Sequence, residues 1–276
     1  MENVHKHTSS YSFLYSLPYI PNMIQHKVSV PENARVVFIG DSHIGHPGFR
    51  KDILEDIVDY VKSSKDCYWI GLGDYVEGRP PSHKFYDPSS PLNVGEQYEY
   101  FFNAVRPIAD KCLGLHIGNH EFGTIRDTTI NPVKSFCVEN DIPYLGDIGR
   151  TVLHTKNRDY TIVTAHGAGG GCAVGSNINK IINWSMSTFT DVDVVCVGHY
   201  HKLATSVELS GYIDKDGMQR WGETYVILNG AMLEAYKTGS DGSYVEKALL
   251  RPSVLGYAEI KISDKGKGLT VELHPY

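Results

Sequence analysis

Arg35-Val36-Val37-Phe38-Ile39-Gly40-Asp41-Ser42-His43 decides how the rest of the chain is read. Arg35 to Ile39 has the length and β-branched content of a buried strand. It runs straight into Asp41 and His43, two metal-binding side chains one residue apart. Four later runs repeat the pattern. Cys67–Leu72 ends at Gly73-Asp74, and Leu113–Ile117 ends at Gly118-Asn119-His120-Glu121. Tyr160–Ala165 precedes His166, and Val192–Val197 precedes Gly198-His199-Tyr200-His201. A single Asp or His at a strand end is most often a turn former or a hydrogen-bonded loop residue. Five such endings in one chain point instead to a shared site at the carboxyl edge of an α/β sheet, where such sheets bind ligands.

The donor types define the chemistry. Imidazole nitrogens with carboxylate and amide oxygens suit Mn, Fe, Zn or Ni, and the absence of thiolate argues against a structural zinc site. The set Asp41, His43, Asp74, Asn119, His166, His199 and His201 is larger than one ion needs. A carboxylate shared by two ions makes a two-metal centre with the ions about 3.5–4 Å apart, which lowers the pKa of a bridging water and clamps phosphoryl oxygens during in-line attack.

Taken in order, Asp41-Ser42-His43, Gly73-Asp74, Gly118-Asn119-His120-Glu121, His166-Gly167 and Gly198-His199-Tyr200-His201 resemble the motif series of the calcineurin-like metallophosphoesterases. The likeness spans positions 35 to 201. It implies that Asp41, His43, Asp74 and His201 hold one divalent ion and that Asp74 bridges. Asn119, His166 and His199 would hold the other. It implies that His120 is no ligand but sits against the substrate, stabilising charge or protonating the leaving oxygen. The implied fold is α/β, a four-layer αββα sandwich of two mixed sheets flanked by helices.

Composition sets the bounds. A net charge of −6 and 21% charged residues, with a pI near 6.1, give no general attraction to nucleic acid or anionic membrane. Extended duplex DNA is therefore not expected as a partner. No apolar run approaches the ~18 residues of a membrane span, and the amino terminus lacks the marks of a signal peptide. The five cysteines are odd in number and widely spaced, with no C-x-x-C. They read as buried free thiols in a reducing cytoplasm.

Residues 1–34 read as an extended arm in which Tyr11, Phe13, Tyr15 and Leu17 alternate with mostly serine. The arm packs on its own domain or, through its aromatic row, on a second copy in a homo-oligomer. Residues 35–276 read as one domain, with the metal motifs in 35–201 and a strand-rich completion of the second sheet in 202–276. That completion places strands at Leu203–Leu209, Thr224–Leu228, Tyr257–Ile262 and Leu269–Leu273, with turns at Asp216-Gly217 and Asp241-Gly242. Helices are expected with an inward stripe of Ile53, Leu54, Ile57, Val58 and Val61, over Gly95–Ala109, from Asn131-Pro132 to Glu139, and near Ser176. Thr151–Thr155 and Asp159–Ala165 read as a hairpin, and His116 as a core histidine.

Substrate contacts are expected from two loops. Residues 78–93 form a rim offering Arg79, His83, Lys84, Phe85 and Tyr86. Gly167–Gly171 lets backbone approach a phosphate, with Gly169 and Gly170 foremost and Asn177 and Lys180 behind. Glu77 is placed either behind a ligating histidine or on an exposed loop. The functional expectation is a hydrolase in which a metal-bridging hydroxide attacks phosphorus, with Mn favoured and Fe, Zn or Ni admitted. The favoured substrate is a nucleotide or short oligonucleotide diester. The rivals are a nuclease for short single strands, a phosphomonoesterase and a catalytically silent scaffold.

Overall fold

Alternation inside Val36-Val37-Phe38-Ile39 decides the layering. In the computed structural model, which describes residues 24–83, 86, 88–171, 173–236, 251–263 and 268–276, Val36 and Phe38 enter one apolar cluster and Val37 and Ile39 another. Successive strand side chains point to opposite faces, so a strand apolar throughout is covered on both. The order is β1 (Ile24–Ser29), β2 (Arg35–Ile39), α1 (Lys51–Ser63), β3 (Cys67–Gly71), α2 (Val94–Val105), β4 (Cys112–His116), α3 (Asn119–Thr128) and α4 (Pro132–Glu139). There follow β5 (Tyr144–Gly146), β6 (Ile148–His154), β7 (Asp159–Ala165), α5 (Val174–Thr188), β8 (Val194–Val197), β9 (Ala204–Ile213), β10 (Gln219–Leu228), β11 (Gly256–Ser263) and β12 (Gly268–Pro275).

Two six-stranded mixed sheets result, ordered β12-β11-β2-β3-β4-β5 and β1-β6-β7-β8-β10-β9. Phe38, Ile70, Leu72, Ile162, Cys196, Ile227 and Ile260 fill the space between them. Ile39, Trp69 and Leu115 face α1, α2 and α4 on the first sheet's outer side. Val163, Val195 and Leu228 face Ile181 of α5 outside the second. This is the expected α/β sandwich of two mixed sheets flanked by helices.

Local chemistry accounts for the helices. α1 has no side-chain cap, but it buries Ile53, Leu54, Ile57, Val58 and Val61 as expected. Each such burial contributes about 1.5–3 kcal/mol, which outweighs the ~1 kcal/mol a missing cap costs. α2 carries a capping box between Asn93 and Glu96. It stops at Val105, short of the expected Ala109, and continues as a 3-10 turn over Arg106–Lys111; Pro107 lacks an N–H and crowds the carbonyl four residues back. α4 begins after Asn131, whose side chain accepts from Lys134 N–H, as expected. α3 was not expected.

Two other readings need correction. Residues Ile24–Ser29, read as part of the arm, are the edge strand β1, parallel to β6. The closing strands do not complete one sheet: β9 and β10 extend the second, while β11 and β12 extend the first. The aromatic alternation of Tyr11–Leu17, the turn at Asp241-Gly242 and the contacts offered by Lys84 and Phe85 lie outside the described residues.

Candidate metal centre

β2, β3 and β4 run parallel in one sheet, and β7 and β8 run parallel in the other. Their carboxyl ends therefore emerge along one edge of the sandwich. The first residues beyond those ends carry backbone strain. Asp41, His43, Asp74, His199 and His201 have φ of 50°, 49°, 50°, 68° and 51°. Non-glycine residues seldom occupy this left-handed region. Five of the eight that do so among the described residues are thus candidate ligands. Such strain persists only where the surroundings enforce it.

The enforcing contacts are visible. Asp41 N–H donates to Gly73 O (2.9 Å) and His43 N–H to Asp74 O (3.1 Å), locking the loops after β2 and β3 together. Both Asp41 oxygens accept from His199 N–H, at 3.0 and 2.9 Å. The buried Glu121 carboxylate accepts from the N–H groups of Asp74 (2.8 Å), Tyr75 (2.9 Å) and Gly118 (2.7 Å). Asp74 Oδ1 in turn accepts from His120 N–H at 2.9 Å, at the positive end of α3. Gly118 permits this approach, since a Cβ there would lie 2.1 Å from Asp74 Oδ1.

Donor atoms gather in two groups about Asp74. Asp41, His43 and His201 offer ligand atoms within 4.8 Å of one another, and so do Asp74, His166 and His199. Asn119 Oδ1 lies 3.0 Å from His166 Nε2. The imidazole tautomers are set from behind. His166 Nδ1–H donates to Leu72 O (2.9 Å) and His199 Nε2–H to Gly169 O (2.7 Å), because a carbonyl can only accept. His43 Nδ1 faces the Glu77 carboxylate at 3.2 Å. With the imidazoles neutral, the inward atoms carry lone pairs: His166 Nε2 stands 3.2 Å from His199 Nδ1, and His43 Nε2 stands 3.1 Å from His201 Nε2. Neutral lone pairs facing each other at this range repel unless a cation or a proton lies between them. Both groups therefore fit divalent ions with N/O preference.

Without an ion, a proton takes that place at His166: burial works against its charge, but Asp74 beside it outweighs that and raises its pKa to about 10. Burial, aided by His120, pushes His43 down to about 4. Burial alone would lift Asp74, yet His120 and His166 hold it well below the usual carboxylate range. Glu77, also buried, is drawn down to about 2 by His43, His120 and Arg79. For His120 the pull of Asp74 and Glu77 exceeds the opposing effect of burial, so its pKa rises.

A cleft of about 530 Å³ opens over these atoms. His120 reaches it with Nδ1–H donating to Glu77 O at 2.6 Å. Its Nε2 lies 3.9 Å from Asp74 Oδ2. Arg79, Gly169 and Gly170 line the same cleft, with Arg79 paired to Glu77 at 2.9 Å. His83 and Tyr86 do not line it. Asn177 and Lys180 instead brace the glycine loop, donating to Gly171 O and Ala168 O. His116 is a core histidine, buried between Gly146 O and the Thr164 hydroxyl. Sequence reading missed His46, Lys202, Arg251 and Ser253 on the cleft wall. Lys202 follows a motif histidine and could have been suspected; Arg251 has no local signal. Ligand atoms of His43, Asp74 and His120 also lie within 4.8 Å of one another at this centre, and a separate donor group away from it, Glu259, Glu272 and His274, is already matched by Lys261 and the Tyr60 hydroxyl.

A family model for calcineurin-like phosphoesterases matches residues 34–203. The chain belongs to that family. Calcineurin-like phosphoesterase membership and the clustered His and Asp donors support a metal-dependent phosphoesterase with a binuclear site for divalent ions. Similar solved structures include Vps29 of Chaetomium thermophilum, at 14% identity and TM-score 0.37, covering 88% of this chain and 97% of that one. A hypothetical protein of Thermus thermophilus has 14% identity and TM-score 0.41, with 88% and 98% covered. A cold-active protein-tyrosine phosphatase of a psychrophilic Shewanella has 14% identity and TM-score 0.34, with 89% and 81% covered. No curated protein matches the sequence.

Proposed function

We propose that this calcineurin-like phosphoesterase is a phosphodiesterase acting on a nucleotide or short oligonucleotide. The observation that carries the reading is the space on both sides of Asn119. The cleft of about 530 Å³ lies on one side and a second cavity of about 490 Å³ on the other, both lined by Asn119 and Tyr200. A diester needs room for two organic groups, whereas a monoester needs room for one.

Asp41, His43, Asp74 and His201 would hold one ion; Asn119, His166 and His199, with Asp74 shared, would hold the other. Two such ions lower the pKa of water and neutralise phosphoryl charge. The chain's own groups do the rest. Glu77, Leu72 O and Gly169 O orient the imidazoles. Arg79, Lys202 and Arg251 draw an anion into the cleft. His120, fixed through Nδ1, presents Nε2 to the leaving oxygen and transfers a proton there. The all-N/O donor set admits Mn, Fe, Zn and Ni, and we take Mn as the resident ion, since selection among them rests on geometry and availability. Cytoplasmic residence is part of the proposal: Cys67, Cys112, Cys137 and Cys196 are buried free thiols. Among the described residues, no helix is long and apolar enough to cross a membrane.

The test compares bis-p-nitrophenyl phosphate with p-nitrophenyl phosphate, using metal-stripped protein reloaded with Mn. The diester should turn over faster. Asn119→Ala should abolish turnover, and His120→Ala should lower kcat by about 10²–10⁴. Monoester turnover alone would replace the reading with a phosphatase, and a chain that binds no metal would replace it with a scaffold.

A further inference from the structure

The second cavity differs in kind from the cleft. At about 490 Å³ it falls within the range of pockets that hold small ligands, about 300–1,000 Å³. Its walls include Phe122, Ile148, Ile181, Trp184 and Tyr200, and Asn119 and His166 of the metal centre also line it. Ile181 and Tyr200 are buried in the layer between α5 and the second sheet, and Trp184 packs on it. Phe122 is 58% exposed, an apolar ring of the lining left in water. The chamber is preformed. The Tyr200 hydroxyl donates to Ala168 O at 2.8 Å and Lys180 Nζ donates to the same oxygen, so the turn beside the chamber is held from two sides. Lys180 and Asp147 are exposed on its wall, one a donor and one an acceptor.

We propose that this chamber receives a flat aromatic substituent of the phosphoester, a nucleobase or an aryl ring. The proposal rests on the phosphoesterase reading for the phosphate but not for the ring. Aromatic side chains bind such rings by stacking whatever the ring's identity. Polar atoms on the ring edge can meet Asp147 and Lys180, which a plain alkyl group would leave to water. Because Asn119 and His166, candidate ligands of the metal centre, line this cavity, a ring in it lies next to a phosphate held at that centre. Trp184 and Phe122 thereby become the residues that select the substrate.

Trp184 also reports the binding. The other tryptophans are Trp69, fully buried in the opposite helix layer, and Trp221, 67% exposed on the β9–β10 hairpin. Tryptophan emission of the full chain would be titrated with adenosine, adenosine 5′-monophosphate, phenyl phosphate, ribose 5-phosphate and methyl phosphate, with and without Mn. The two aromatic monoesters should quench emission and bind about tenfold or more tighter than the two alkyl ones, as a stacked ring does. Phe122→Ser should collapse that ratio toward one while leaving inhibition by inorganic phosphate unchanged. Trp184→Phe should remove the quench. Preference for adenosine monophosphate over phenyl phosphate would identify the ring as a base; the reverse would identify an aryl group. Equal binding of all four monoesters, or a ratio that survives Phe122→Ser, would overturn the proposal. Adenosine separates the two readings. Quenching by adenosine in metal-free protein supports the chamber even where phosphate binding fails, and no quenching in either state overturns it.

Discussion

Glu121 shows most sharply how a residue can be essential to a site without facing it. Its carboxylate bonds to backbone N–H groups of the loop after β3 and of the turn after β4, and so fixes the distance from Asp74 to Asn119. Burial, reinforced by the negative charge of Asp74, pushes its carboxyl above the usual range, while the Gly118 N–H pulls the other way. In Glu121→Gln one oxygen becomes an NH2 group that cannot accept, leaving two buried N–H groups without their partner at a cost of about 1–3 kcal/mol each. We expect a lower Tm, and Mn affinity weakened by about 10–100-fold, read by thermal unfolding and metal titration. An unchanged metal affinity would reduce Glu121 to a purely structural brace. The sequence displayed Glu121 inside a motif but not this task, because its bonding partners lie up to 47 residues away. Asp41, His43 and Asp74 were legible because residue type and strand-end position together restrict what they can do.

Among the elements, α2 is the cleanest case of local chemistry deciding structure. Asn93 Oδ1 accepts from Glu96 N–H at 3.0 Å, and Glu96 returns a bond to Asn93 N–H at 2.8 Å. The box is exposed and lies outside the cleft lining. Asn93→Ala should therefore lower unfolding free energy by about 1 kcal/mol, measured by urea denaturation, with diester turnover unaffected. A loss of turnover would mean that the loop over residues 78–93 depends on the start of this helix. The existence of α1, α2, α4 and α5 was readable from apolar spacing, caps and Pro132. The end of α2 was misjudged because Pro107 was not weighed against the apolar stripe. α3 was missed because its first turn is Asn119-His120-Glu121, residues with no apolar periodicity; the local bond from Gly118 N–H to Glu121 and the tertiary bond from His120 N–H to Asp74 fix its start.

His116 belongs to the scale of the whole molecule, since it ties the two sheets together. From β4 its Nδ1–H donates to Gly146 O (2.8 Å), and its Nε2 accepts from the Thr164 hydroxyl of β7 (2.8 Å). Burial lowers its pKa from 6.5 to about 4. Above about pH 6.5 the folded and unfolded chains both carry it neutral. Between about pH 6.5 and 4 only the unfolded chain takes the proton, so stability falls as pH falls. At about 1.4 kcal/mol per pH unit, the metal-free protein should lose about 3 kcal/mol from this group. The check is urea unfolding at pH 7 and pH 4.5 for the native chain and for His116→Gln, which cannot titrate. Equal pH slopes would refute the assignment.

The sequence by itself determined the apolar strand runs and the residue types at their ends, because both are local; the two-sheet α/β sandwich was what the family resemblance implied. A doubly covered strand must be apolar at every position, and a metal needs donors of a particular kind. Only the tertiary structure decided which donors face one another. Convergence depends on β2, β3 and β4 in one sheet and β7 and β8 in the other presenting their carboxyl ends along one edge. Only it divided the last four strands between the sheets, since β-pairing is set by register and packing across the core rather than by strand composition. And only it hollowed out the chamber beside Asn119, whose walls come from α3, β6, α5 and the turn after β8. No stretch of chain announces a cavity, because a cavity is the space that separate elements leave between them.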